Sequence, residues 1–254
     1  MTRNNNITKI TEISAGNEKN LPLAAIIETS GRLGSVAIAQ GDVLLDKAFF
    51  SAPVKHSAEV FPTLRKLLEQ QNKSPENIGQ VYISIGPGSF TGLRIAVTIA
   101  KMMHLANNTD IIAVDTLDVL AQNIYEYISQ TGNTPQTIAT ILDAKRGEFF
   151  IAAYKNDNNR YIKTLESSVM GAEEFAEKFS NLQNPIAIFG EGLVYYSEKF
   201  KSSGIKILDE RYWNPLPENL HRLGWQKAQT RQFADPVALT PTYLRCLELK
   251  IKNI

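Results

Sequence analysis

The sequence predicts an α/β protein of two similar lobes, and three observations carry that expectation. Its 254 residues exceed the roughly 100–200 of a single typical domain. Its first half alternates apolar β-runs and amphipathic helices in the order βββαβαβα. Its second half restarts the pattern: in both halves a β-run ends in an acid, Glu28 or Asp143, and a Gly-containing turn leads to the next run.

From residue 21 short apolar runs closed by turn residues read as strands over 21–29, 35–40 and 43–50, the last two joined at Gly41-Asp42. Three consecutive runs imply an antiparallel meander. A helix follows over 57–71, with Val60, Leu64, Leu67 and Leu68 on one face, and Pro75 closes the unit. A strand over 80–85 enters Gly86-Pro87-Gly88, and a helix runs from there over 90–106. Residues 111–114 read as a buried strand and 117–128 as a helix. The second half gives strands at 137–143 and 148–154 around Ala144-Lys145-Arg146-Gly147, a helix near 171–179 and a strand at 185–189. Residues 209–236 scatter Trp213, Pro215, Pro217 and Trp225 among polar residues without a sustained period, and no element is assigned there. Pro241-Thr242-Tyr243-Leu244-Arg245 reads as an extended piece before a basic tail. Residues 1–20, rich in Asn and polar groups, are expected to form a poorly ordered tail.

An apolar fraction of 43% with 21% charged residues is that of a folded globular chain. The 27 basic and 26 acidic residues leave a net charge of +1, without the strong positive field of a free-standing nucleic-acid binder. No stretch approaches the roughly 20 apolar residues that cross a bilayer, and the polar N-terminus is unlike a signal peptide. The lone Cys246 has no internal disulfide partner. A cytoplasmic protein is expected.

The segment Gly86-Pro87-Gly88-Ser89-Phe90-Thr91-Gly92-Leu93-Arg94 is the most informative. Two glycines around a proline ahead of a helix can turn backbone N–H groups toward an anion. The same glycines can instead allow close strand-to-helix packing, with Ser89 capping the helix. The helix is nearly all apolar apart from a stripe of Arg94, Thr98 and Lys101, so it is either sandwiched in its own domain or docked on another subunit. His56, His104 and His221 stand far apart, with no His-x-x-x-His or Cys-x-x-Cys spacing, so no metal site is expected. His56 falls in a solvated capping region at a helix start. Glu28-Thr29-Ser30-Gly31 offers a carboxylate for a metal-bound water and hydroxyls for a phosphate, while Asp143 and Glu148 read as turn and surface residues.

Ala25-Ile26-Ile27-Glu28-Thr29-Ser30, Lys55-His56-Ser57-Ala58-Glu59, the block from Gly86 to Arg94, Asp143-Ala144-Lys145-Arg146-Gly147-Glu148 and Pro241-Thr242-Tyr243-Leu244-Arg245 occur in order from about residue 23 to 247. Together they resemble the TsaB (YeaZ) family of tRNA threonylcarbamoyladenosine biosynthesis. The resemblance implies an actin-like ATPase fold (ASKHA, RNase H-like) with two duplicated lobes, here divided as a tail over 1–20, a first lobe over 21–115 and a second over 116–254. It implies a non-catalytic dimerisation subunit that binds and activates TsaD, the threonylcarbamoyl-transferring subunit, and helps recruit the ATPase TsaE. Alone it would be a homodimer, and it would meet tRNA only through the complex. The helix after the glycine block would be the docking surface, through Phe90, Leu93, Arg94, Val97, Thr98, Lys101, Met102 and Leu105. TsaD places a His-x-x-x-His metal pair where this chain has approximately Thr116 and Leu120, so neither metal nor resident cofactor is expected; ATP or ADP would belong to the interface of the complex. Glu28, Thr29, Ser30, Gly86 and Gly88 would then be a vestigial nucleotide loop, with Glu28 standing where the family usually has Asp. The rival reading is a sugar-kinase-like phosphotransferase that uses Glu28 and the Gly86–Gly88 turn around a magnesium nucleotide. A third, an autonomous metallopeptidase, would require bound metal.

Overall fold

The computed structural model describes residues 21–52, 56–179 and 182–244. The expectations for the tail over 1–20, for Lys55 and for the residues from Arg245 onward lie outside these.

The first sheet contains β1 (Leu23–Glu28), β2 (Ser35–Gln40), β3 (Val43–Phe49), β4 (Ile78–Gly86) and β5 (Asp110–Asp115) in the order β3-β2-β1-β4-β5. The first three strands are the expected antiparallel meander, and β4 and β5 then add in parallel to β1. All six residues of β1 are buried, as a central strand covered on both faces requires. One face carries Ala25 and Ile27 against α1 (His56–Gln70) and α2 (Phe90–Asn107), which contribute Val60, Leu64, Ala96 and Val97. The opposite face carries Ala24, Ile26 and Tyr82 against α3 (Thr116–Ala121) and a last helix, α6 (Pro217–Gln229).

The second sheet contains β6 (Thr137–Asp143), β7 (Glu148–Asp157), β8 (Arg160–Gly171), β9 (Ile186–Phe189) and β10 (Ile205–Ile207), and it repeats the first, in the order β8-β7-β6-β9-β10. Helices α3 and α4 (Asn123–Thr131) cover one face, and α5 (Ala172–Phe179) covers the other. Helix α3 therefore sits between the sheets. Its cap, Asp115, accepts from the Leu117 and Asp118 amides and from the Ser167 hydroxyl of β8 at 2.8, 3.2 and 2.9 Å. Asp118 meets Lys163 of β8 at 2.6 Å and the Tyr154 hydroxyl of β7 at 2.8 Å. These contacts brace one lobe against the other.

Three elements lie where the sequence shows no period. Strand β8 is an edge strand whose residues alternate between exposed and half-buried, so its apolar signal is diluted. Strand β10 has only three residues. Helix α6 packs through small residues: a Cβ on Gly224 would lie 2.4 Å from the Tyr82 ring, and Ala228 and Leu220 continue that face. The single helix expected over 117–128 is two, parted at Gln122, because buried Asn123 turns its amide to the Tyr212 and Asn214 carbonyls, both at 2.8 Å. The division at residue 115 also needs correction. Helix α6 comes late in the chain yet covers the first sheet, and the Ala234 amide donates to the Ile111 carbonyl of edge strand β5 at 2.8 Å.

Candidate functional site

The end of β1 is closed. Glu28 is fully buried, and one carboxylate oxygen accepts from the Ser30 amide at 2.8 Å and the Ser30 hydroxyl at 2.5 Å. The other accepts from the Ser84 hydroxyl of β4. Burial pushes its pKa up, against the lowering effect of these hydrogen bonds. Thr29 and Ser30 are equally buried, and the Thr29 hydroxyl donates to the Gly92 carbonyl at 2.8 Å. The expectation of a carboxylate and hydroxyls open to a magnesium nucleotide is therefore corrected: their polar groups are turned onto one another and onto α2.

The glycines of the block allow close packing of the turn and α2 against the end of β1, and Gly88 and Ser89 also line the cleft between the lobes. The Ser89 amide donates to the Ser30 carbonyl at 2.8 Å, and the Ser89 hydroxyl caps α2 by accepting from the Gly92 amide at 3.3 Å. Gly88 has φ +156, and a Cβ there would meet the Ser30 carbonyl oxygen at 2.6 Å. A Cβ on Gly92 would lie 1.8 Å from the Thr29 carbonyl oxygen. That oxygen is backbone and cannot yield cheaply, so the clash outweighs the roughly 1 kcal/mol by which alanine favours a helix over glycine. Gly86 faces the Thr242 carbonyl in the same way, at 2.6 Å.

Helix α2 divides its residues sharply. Leu93 and Val97 are buried in the lobe's own core, as are Ala96, Ile99 and Ala100. Placing Leu93 and Val97 on the docking surface is thus corrected, because they point into the sheet. Phe90, Arg94, Thr98, Met102 and Leu105 are exposed and Lys101 is half-buried, on one stripe of the helix. Leu105 is 87% exposed and Met102 55%. Ten helical residues are apolar enough to have suggested a sandwiched helix; the structure buries one side and leaves a mixed apolar and cationic stripe on the other.

Between the lobes lies a cleft of about 1340 Å³, lined by Arg32 and Phe90 on one side and by Arg146, Phe150, Glu191 and Tyr195 on the other. Lys145 and Arg146 both have positive φ, +68° and +60°. Asp143 holds this turn, accepting from the Lys145 amide and ammonium at 2.7 and 2.6 Å, as its reading as a turn residue requires. Glu191 accepts from the Arg32 amide at 2.8 Å, and burial raises its pKa. The sequence reading missed Arg32, Glu191 and Tyr195. The available signal for Glu191 was a strand ending in glycine and then an acid, Phe189-Gly190-Glu191.

His56 is buried, not solvated: its Nε2 lies 3.2 Å from the Gly31 carbonyl, Phe50 is beside it, and burial lowers its pKa. Thr116 and Leu120 are fully buried in α3, where neither can ligate a metal. Among the described residues no His, Cys, Asp and Glu side chains gather in a group of three or more. No helix among them is long and apolar enough to cross a membrane.

Two sheets of matching order, each opening with a meander and extended by parallel strands, with a helix between them, define the actin-like ATPase class of folds. Within that class the model of the family described as "TsaD: tRNA N6-adenosine threonylcarbamoyltransferase" matches residues 51–207, more than half of the chain. The chain belongs to this family and stands within it among the TsaB (YeaZ) proteins. It is 26% identical over 231 residues to the tRNA threonylcarbamoyladenosine biosynthesis protein TsaB of Bacillus subtilis, covering 90% of this chain and 96% of that one. It is 26% identical over 220 residues to TsaB of Escherichia coli, covering 86% and 93%. Two solved Pseudomonas aeruginosa structures share the fold at a TM-score of 0.75. One is described as an uncharacterized protein with similarity to peptidase YEAZ, at 22% identity over 89% of this chain and all of that one. The other is YeaZ, at 21% identity over 88% of this chain and all of that one.

Proposed function

We propose that this chain acts in tRNA threonylcarbamoyladenosine biosynthesis as a non-catalytic, cytoplasmic subunit that binds TsaD through the exposed stripe of α2. The observation that carries the reading is the contrast between two neighbouring surfaces. At the end of β1, Glu28 is sealed behind Ser30 and Ser84 and does not line the cleft, so the carboxylate that the rival phosphotransferase would use is turned away from it. On α2, Phe90, Met102 and Leu105 stand exposed at 41, 55 and 87% along one side. Large apolar side chains in a row on a rigid helix favour association with another protein.

On this reading the chain activates TsaD, helps the pair to recruit TsaE, and meets tRNA only as part of that assembly. The same stripe serves a homodimer when TsaD is absent. The subunit needs no resident cofactor, and any ATP or ADP is held at the interface of the complex. The rival phosphotransferase would require Glu28 to face the cleft.

Light-scattering chromatography of the chain alone and mixed with TsaD from the same organism tests the proposal. A new peak at the mass of the heterodimer is the expected result. Two unshifted peaks from folded proteins would overturn it.

A further inference from the structure

At the start of α2 the chain's late segment returns to the docking stripe. The Thr242 amide donates to the Ile85 carbonyl at 2.7 Å, which fixes the segment beside the end of β4. The next residue, Tyr243, reaches α2: its hydroxyl accepts from Arg94 Nε at 3.1 Å, and its ring lies 5.3 Å from that of Phe90. The Arg94 guanidinium carbon lies 4.0 Å from the Phe90 ring centroid. All three residues are exposed.

Arg94 is thus held by one nitrogen and one planar face. Its two terminal nitrogens have no acceptor among the described residues, although an arginine carries five N–H donors in a fixed fork. A guanidinium oriented in advance loses less side-chain freedom on binding than a free one, and its fork matches a carboxylate with two parallel bonds. The surroundings favour an anionic partner. Helix α2 contains no acidic residue, Lys101 lies further along the same stripe, and its ammonium reaches the carbonyl of exposed Val237 at 3.4 Å.

We propose that Arg94 is a preorganised receptor for a carboxylate side chain on the partner protein, and that Tyr243 is the positioning residue that holds it. This deepens the docking reading above and rests on it. A protein carboxylate is favoured over an RNA phosphate because the stripe offers only two cations among Phe90, Met102 and Leu105. A phosphate backbone would leave those apolar groups uncovered, and RNA grips generally use several cations.

Calorimetric titration of TsaD with the full chain and its Arg94→Ala, Arg94→Lys and Tyr243→Phe variants tests this, with unchanged melting temperatures as the check on folding. Arg94→Ala should weaken binding about 30-fold or more, as when one partner of a desolvated charge pair is removed. Arg94→Lys should recover only part of that loss, because an ammonium lacks the fork. Tyr243→Phe should weaken binding about three- to tenfold, and a variant carrying both Arg94→Ala and Tyr243→Phe should bind no worse than Arg94→Ala alone, because the tyrosine acts through the arginine. If the wild type binds TsaD and both Arg94→Ala and Tyr243→Phe bind within about twofold of it, a margin at the usual error of such comparisons, the receptor is wrong and the docking reading stands. If Arg94→Ala keeps TsaD and instead loses tRNA from the assembled complex, the anion is RNA and the proposal is overturned. If the wild type does not bind TsaD at all, both readings fall together.

Discussion

Glu28 shows how one side chain can turn a catalytic-looking position into a structural one. Its carboxyl is enclosed by hydroxyls and an amide, with burial raising its pKa above the ordinary 4.5. Below 4.5 the folded and unfolded chains both hold the proton and the site costs nothing. As pH rises from 4.5 toward the raised value, the unfolded chain ionises while the folded one keeps its proton, so stability is lost in that window and the loss levels off above it. Glu28→Gln should remove this slope: the difference in urea midpoint between variant and wild type should move in favour of the variant as pH rises from about 4.5. A flat difference would show that the carboxyl is not the source. The sequence placed the acid at the end of the first strand correctly. It could not show which way the side chain turns, because β1 is buried on both faces and alternation loses its meaning there. His56 was misread for a related reason: besides nearby Phe50, the groups that enclose it, the Gly31 carbonyl and Gly34, are more than 20 residues away in sequence.

At the scale of elements, α2 gives the sharpest contrast between two apolar residues. Val97→Asp puts an unpaired charge into the first lobe's core and should cost about 4 kcal/mol of stability. Leu105→Asp, at a residue 87% exposed, should change stability by no more than about 0.5 kcal/mol and still abolish the peak shift with TsaD. Thermal melts and chromatography of the two variants separate these outcomes. If Leu105→Asp binds TsaD as the wild type does, the exposed stripe is not the docking surface. The helix was legible from its glycine-rich start and its apolar run, and β2 and β6 from their bounding turns. The division of α2 into a buried and an exposed side was not legible, because Leu93 and Val97 are as apolar as Met102 and Leu105. Helix α6 and strand β8 escaped because small residues and an edge position bury little of the large apolar surface that makes a period visible.

For the whole molecule, the relation of the lobes depends on α3. Lys163 of β8 lies 2.6 Å from Asp118 and 3.9 Å from Asp115, with its side chain 18% exposed. Lys163→Met would leave two carboxylates facing each other at the joint, and burial and Asp118 already raise the Asp115 pKa. A loss of about 1–2 kcal/mol is expected after allowing for solvent at the half-exposed Asp118. Chemical denaturation measures it, and an unchanged midpoint would mean that the brace contributes nothing. The duplication was visible in the acids that close the first strand of each sheet, Glu28 on β1 and Asp143 on β6. The way the chain's end crosses back was not, since α6 is late in sequence but serves the first sheet. That crossing matters during synthesis. The ribosome makes β1 through β5 and α3 early, but the part of the sheet face that α6 covers stays open until residues 217–229 have emerged. The lobe that is translated first is therefore completed last, and a chain released early would carry a water-exposed patch of Ala24, Ile26 and Tyr82, a surface of the kind that chaperones and proteases recognise.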